Sequence, residues 1–346
     1  MSRYQVVRLG CFSVRFMPSR LTILLALFLC LTLVALWSLT AGSQHIPASA
    51  LWSFVIATNT DPVMTDAAVV LDFRLSRLAL AMVAGAMLGI AGAIMQATTR
   101  NGLADPGLLG VREGASLAVL GCAFLLPALP VVLRPAAGIA GGMASAAFIF
   151  SLSGPTSRLR FVLTGIGFSW FLSALLLILM ASLDIRNLQT AMIWMAGNLQ
   201  GANWTAVRIL GAILILTVGL LLLVARSADA QALGDNAAAA LGVLTRPLSA
   251  LQVTLAVVLT ASCVSFTGSI GFVGLLGPHI TRLLLPGSSY AGLVLGAGLT
   301  GATLVASADT LARTAFSPLE LPTGIVLSAI GAPTLLALLW FHRHRL

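Results

Sequence analysis

The sequence predicts an all-α, polytopic membrane protein with about ten transmembrane helices. Of the 346 residues, 59% are hydrophobic and only 8% are charged, with a mean hydropathy of +1.03. Apolar stretches of roughly 20 residues, the length that crosses a bilayer core, recur along the chain. The strict alternation of a membrane barrel is absent, so backbone groups in lipid must be paired within helices.

Residues 1–20 carry Arg3, Arg8, Arg15 and Arg20 and no acid, and read as a cytoplasmic N-terminal segment. The apolar run from Leu21 to about Ala41 is longer than a signal-peptide core and lacks its small-residue cleavage site, so an uncleaved first span is expected. A polar loop containing Asp61 and Asp66 follows. Further spans are expected at about 75–97, 107–126, 131–152, 160–182 and 204–225, then at about 247–267, 270–285, 288–312 and 321–341. Together 21–346 form one transmembrane domain. Gly85, Gly89 and Gly92 line one side of the second span, and Gly292, Gly296, Gly298 and Gly301 lie in the ninth. Small residues of this kind let helix backbones approach closely, and helix packing accounts for them.

Between the sixth and seventh spans sits a polar, alanine-rich insert at about 226–246, flanked by Arg226 and Arg246. It is too polar to span and too helix-prone for a simple turn. Leu233, Ala237 and Leu241 recur at four-residue spacing on one helical face. Asp235 falls early in that helix, where a negative charge is favoured, and Gly234 and Gly242 bracket it. With the N-terminus inside and ten spans, the inner side holds the larger share of the nineteen basic residues, all of them arginine, as positive-inside topology requires. That places the insert and both termini in the cytoplasm.

Composition also excludes chemistry. Without lysine the chain holds no standard P-loop and no Schiff-base nucleophile. Cys11, Cys30, Cys122 and Cys263 are scattered through apolar surroundings as small core residues. His45, His279, His342 and His344 form no zinc pattern, so no metal site is expected. The arginines flank apolar runs and do not form a nucleic-acid face.

Three polar motifs remain. In the stretch 100–110, Arg100, Asn101, Asp105 and Pro106 form a turn in which Asp105 caps a helix and Pro106 takes its first position. The stretch 268–282 is punctuated by Gly268 and Gly274 and is expected to break at Pro278, ahead of His279 and Arg282. Glu320, Pro322 and Gly324 open the last span, which Gly331 and Pro333 are expected to interrupt.

These motifs, in this order and spacing, resemble the FecCD-type permease family of binding-protein-dependent ABC importers for iron–siderophore complexes, cobalamin and haem, from about Arg74 to the C-terminus. Departures are Gly102 for proline, Gly277 for a larger apolar residue, Arg112-Glu113 for small polar residues, and a missing Asp-His-Arg cluster in the loop 284–290. The resemblance implies a bacterial inner-membrane permease subunit with ten spans, paired with an identical or related permease. It implies ABC ATPase subunits that carry ATP and magnesium, this chain binding no cofactor itself, and a periplasmic substrate-binding protein. The insert then corresponds to coupling helices, with Leu233, Gly234, Asp235, Ala237, Leu241 and Gly242 meeting the ATPase. Arg74, Arg77 and Arg313 would dock the binding protein, although local pairing of Arg313 with Asp309 and of Arg74 with Asp72 would also account for two of them. An ion-coupled secondary transporter is the alternative. It is disfavoured because the ten acidic residues lie near span ends or in loops. An intramembrane enzyme would need a His-Glu-x-x-His, paired mid-span aspartates or a Ser-His arrangement, and the chain has none of these.

Overall fold

The computed structural model describes residues 19–41, 66–153, 158–315 and 319–342. Most of the N-terminal segment and the greater part of the loop after the first span therefore lie outside the described residues. Those described are helical, with no strand among them. The helices are α1 (Arg20–Thr40), α2 (Asp66–Thr99), α3 (Val111–Leu125), α4 (Arg134–Ser153), α5 (Arg158–Ala181), α6 (Ile185–Met195) and α7 (Trp204–Leu223). They continue as α8 (Ala225–Ala232), α9 (Asp235–Ala240), α10 (Thr245–Thr267), α11 (Val273–Leu284), α12 (Tyr290–Thr314) and α13 (Thr323–His342). By length and composition α1, α2, α4, α5, α7, α10 and α12 can cross a bilayer. Helices α3 and α11, which are shorter, and α13, whose apolar part is Thr323–Leu338, occupy the other three expected positions, which accords with about ten spans.

The core is built on α2, which packs most extensively on α12 and also against α10 and α11. Small residues make this possible. A Cβ at Gly85 would overlap the Gly301 carbonyl oxygen, and a Cβ at Gly301 would overlap that of Gly85. Gly89 faces the Ala297 carbonyl in the same way. Where lipid provides no hydrophobic drive between helices, such approach is the main source of association.

The expected interruptions at Pro278 and Pro333 do not occur: α11 and α13 run straight through them. Proline removes the amide that would bond to the carbonyl four residues earlier, which for Pro278 is that of Gly274. Gln96 of α2, 2% exposed, donates from Nε2 to this carbonyl at 3.1 Å. Its Oε1 accepts from Arg282 one turn further along α11. The Gly277 carbonyl likewise takes the hydroxyls of Thr281 and Thr300, at 2.8 and 3.0 Å. The carbonyl freed by the proline is thus answered from the neighbouring α2.

Two further differences concern short helices. The insert is two helices, not one. Gly234 adopts φ 118° and ψ 149°, a region that only glycine enters readily, and the chain turns there between α8 and α9. The 11-residue α6 was not expected. It is too short and polar for a span, although Asp184 caps it, accepting the Asn187 amide at 2.8 Å.

Candidate functional site

Two polar clusters lie at opposite ends of α2. Arg77 and Arg100 are about 35 Å apart at 1.5 Å per residue, enough to bracket a hydrocarbon core.

At the Arg77 end, Asp309 of α12 is the hub. Arg77 donates from Nε to both Asp309 oxygens at 3.1 Å, and from a terminal nitrogen at 3.0 Å. Arg313 Nε lies 3.3 Å from the same carboxylate, the local pair that i, i+4 spacing predicts, and Thr323 Oγ1 donates to it at 2.9 Å. Arg77 reaches on to Glu320 at 2.8 Å, which Gln200 also joins at 3.1 Å. Burial works against the charge on Glu320. The Arg77 hydrogen bond and charge outweigh it, helped by Gln200 and Arg313, and hold the carboxyl below the usual glutamate range. Its share of the cluster's stability is therefore present at neutral pH and is lost only as pH falls through that depressed pKa.

Arg74 and Arg313, 9% and 8% exposed, turn inward. Arg74 donates to the Leu39 carbonyl at 2.8 Å. Arg313 donates to the Ser38 carbonyl and hydroxyl at 3.2 and 2.8 Å. The final turn of α1 contains no basic residue, and its carbonyls have no partners within the helix. Two arginines from α2 and α12 supply that cap and oppose the negative end of its dipole. Asp72, the sequence-level candidate partner of Arg74, accepts the Trp204 indole N–H at 2.9 Å. Of the three arginines expected to dock a binding protein, two thus hold α1 in place and the third holds Asp309. The surface-facing charge here is Glu320, 36% exposed.

Gly268 and the Glu320–Gly324 motif meet beside this cluster. A Cβ at Gly268 would overlap the Trp194 carbonyl, and one at Gly324 the Ala196 carbonyl. The Gly324 amide donates to the Gly197 carbonyl at 3.1 Å, and the Asn198 amide to that of Thr267 at 2.9 Å. These motif glycines are where backbone from the end of α6 lies directly against the start of α13 and the end of α10. Pro322 ends this approach immediately before α13.

At the Arg100 end the insert is tied to three helices. Arg100, in the left-handed region at φ 53°, donates to Asp235 at 2.8 Å and to the Gln231 carbonyl at 2.9 Å. Gln231 donates to Ser249 of α10 at 2.7 Å. Asp229 accepts the first amide of α12, Tyr290, at 2.6 Å, an otherwise orphan donor at a positive helix end. Ala238 is fully buried, whereas Leu233 and Leu241 are 73% and 65% exposed. The expected single face does not form, because Leu233 closes α8 and Leu241 closes α9 on either side of the Gly234 turn, but both leucines and Ala237 are exposed. Gly242, at φ 81°, closes the unit.

In the intervening turn, Asn101 Oδ1 accepts the Leu103 amide at 3.0 Å and Asp105 caps Pro106 as expected, accepting the Gly107 amide at 3.2 Å. The helix it starts is a single 3-10 turn, Pro106–Leu109, after which Gly110 at φ 62° redirects the chain into α3. Asp105 also takes Arg112, and Gly274 leaves room for its carboxylate. Arg112 takes Asp105 as its ion-pair partner, and Glu113 Oε2 is buried without a hydrogen-bond partner. Among the described residues, no group of His, Cys, Asp or Glu is arranged to hold a metal ion.

Sequence reasoning missed Gln96, Gln200, Asp229, Gln231 and Ser38. Gln96, an amide in a long apolar run, carried the one available signal, because such a group in lipid must find partners inside the protein.

A close-packed core of apolar helices long enough to cross a bilayer, with ion-paired clusters toward both ends, is the architecture of a multi-pass membrane protein. The profile of the FecCD transport family matches residues 29–341. The chain is 38% identical over 315 residues to the Fe(3+) dicitrate transport system permease protein FecD of Escherichia coli, covering 90% of this chain and 96% of that one. It is 34% identical to the iron-uptake system permease protein FeuC of Bacillus subtilis, covering 91% and 96%, and 35% identical to the hemin transport system permease protein HmuU of Yersinia pestis, covering 92% and 95%. Among solved structures, an inward-facing chain assigned to the metal-chelate type of ABC transporter superposes with a TM-score of 0.81 at 30% identity, covering 92% of this chain and 98% of that one. The chain belongs to the FecCD transport family.

Proposed function

We propose that this chain is the pathway-forming permease subunit of a bacterial inner-membrane ABC importer for an iron(III)–siderophore complex. The relatives named for iron(III) citrate and iron uptake support that cargo class, and the hemin relative makes haem the rival cargo. A separate ATPase supplies the energy and binds ATP and magnesium. A second permease subunit completes the pathway. A periplasmic binding protein delivers the cargo at the Arg77 end, where Glu320 and the edge of Arg77 are the charges it can reach without uncapping α1. The Arg100 end faces the cytoplasm, with both termini on that side.

The observation that carries this reading is the α8–α9 unit. Two exposed leucines sit on an element bonded to the turn after α2, to α10 and to the start of α12. Force applied to α8–α9 from outside the membrane would reach the core helices through these bonds. An apolar face on a charged, cytoplasmic loop needs a partner surface, and an ATPase cleft would provide one.

Replacing both Leu233 and Leu241 with glutamate tests it. Both side chains are exposed, so folding and membrane level should be unchanged. Burying the new charges in an apolar cleft should weaken ATPase association by about 100-fold or more, and siderophore-dependent iron uptake should collapse. Normal uptake, with the ATPase still copurifying, would refute the assignment of α8–α9 as the coupling element.

A further inference from the structure

Beneath the coupling helices lies a cavity of about 540 Å3, bounded by α2, α8, α11 and the start of α12 and lined by Arg100, Arg282, Asp229 and His279 among others. Its composition is unusual for a membrane chain because of Arg282. This guanidinium bonds to the neutral amide of Gln96. Among the described residues it has no carboxylate within ion-pair distance, whereas Arg77, Arg100, Arg112 and Arg313 each have one. The acid that lines the cavity, Asp229, is turned onto the Tyr290 amide. Arg100 uses one terminal nitrogen for both Asp235 and the Gln231 carbonyl, and a guanidinium has five donors. A partly buried cation with only a neutral partner is costly in a low-dielectric setting. Here it faces a space large enough for an anion. Ala97, Leu283 and Leu293 supply apolar wall on the same cavity.

We propose that this cavity binds a phosphate group, presented by an anionic lipid headgroup or free in solution. Arginine's planar fork matches phosphate geometry. A phosphate between Arg282 of α11 and Arg100, itself bonded to Asp235 of α9, would join the coupling helices to the core and stiffen the connection that carries force between them. The inference uses neither the cargo nor the docking of an ATPase, so its failure would leave the permease reading standing.

The full-length chain, purified in a neutral detergent and stripped of lipid, tests it by thermal melting and by counting retained phospholipid. The probes are inorganic phosphate, phosphatidylglycerol and phosphatidylcholine, with potassium chloride matched for ionic strength. Phosphatidylglycerol should raise the melting temperature above the phosphatidylcholine and chloride controls. A rise with inorganic phosphate as well identifies a site open to the free anion; a rise with phosphatidylglycerol alone identifies the headgroup as the source. Arg282→Gln should weaken the effective ligand by about tenfold, as expected for losing a charge-assisted hydrogen bond. Because that variant also disturbs Gln96, Ala232→Phe provides a second arm: it fills the cavity from α8 and leaves Arg282 bonded, and it should abolish the shift. Equal melting in all four additives overturns the proposal, as does a phosphatidylglycerol shift that persists undiminished in Ala232→Phe.

Discussion

Asp309→Ala is expected to remove most of the folded protein from the membrane. Asp309 is 1% exposed and faces two guanidinium groups and a hydroxyl at once. Without its carboxylate, Arg77 retains Glu320 and Arg313 retains the carbonyl cap of α1, but two neighbouring buried cations then share one partly exposed acid. Breaking a buried pair by deleting one partner typically costs about 3–5 kcal/mol, a large share of the roughly 5–15 kcal/mol that holds a domain together. The loss should extend to α1, because Arg313, one of the two arginines that cap its last turn, is positioned by Asp309. Melting temperature and protease resistance of the purified chain are the readouts. Asp309→Asn, which keeps the Thr323 bond and the volume, should fall between wild type and alanine. A wild-type melting curve for the alanine variant would show that the cluster does not hold this end of the bundle.

Gly92→Leu is expected to be comparably damaging nearer the other end of α2. A Cβ at Gly92 would overlap the backbone of Gly274, and a backbone cannot swing aside as a long side chain can. The cost begins with the roughly 1–3 kcal/mol of overpacking. The same displacement pulls the Gly274 carbonyl away from Gln96, leaving a buried carbonyl unpaired through the absence of the Pro278 amide, for about another 1–3 kcal/mol. Pro278→Ala restores that amide, so the double variant should recover part of the second loss and none of the first. Protein yield and melting temperature read both. Equal stability of single and double variants would disprove the link between Gln96 and the proline.

Much of this fold was legible because lipid imposes a simple rule. Every span must be apolar and internally bonded, so hydropathy located the expected spans within a few residues, apart from α2, which starts nine residues earlier than expected. The cap at Asp105 and Pro106 was legible too, since it depends on adjacent residues. What could not be read is pairing at a distance. Pro278 looked like a break because the donor that repairs it, Gln96, lies far away in the chain. Arg74, Arg77 and Arg313 looked like surface charges because helical spacing shows which residues share a face but not what lies opposite; the end of α1 and Asp309 do. The exposed leucines of the insert were visible in the sequence, but their expected common helical face was not realised, because the split at Gly234 depends on a backbone angle that many glycines never adopt. The amphipathic α6 was missed because a search for spans passes over 11-residue helices.

On the proposed function, cargo moves through this chain only when an ATPase docked on α8–α9 hydrolyses ATP. Proteoliposomes containing the chain with and without the ATPase, supplied with binding protein and an iron(III) siderophore labelled with 55Fe, test it most directly. Uptake should require both the ATPase and ATP, and should be indifferent to proton or sodium gradients imposed across the chain alone. Accumulation of iron driven by either gradient in vesicles lacking the ATPase would contradict the account and make the chain a secondary transporter.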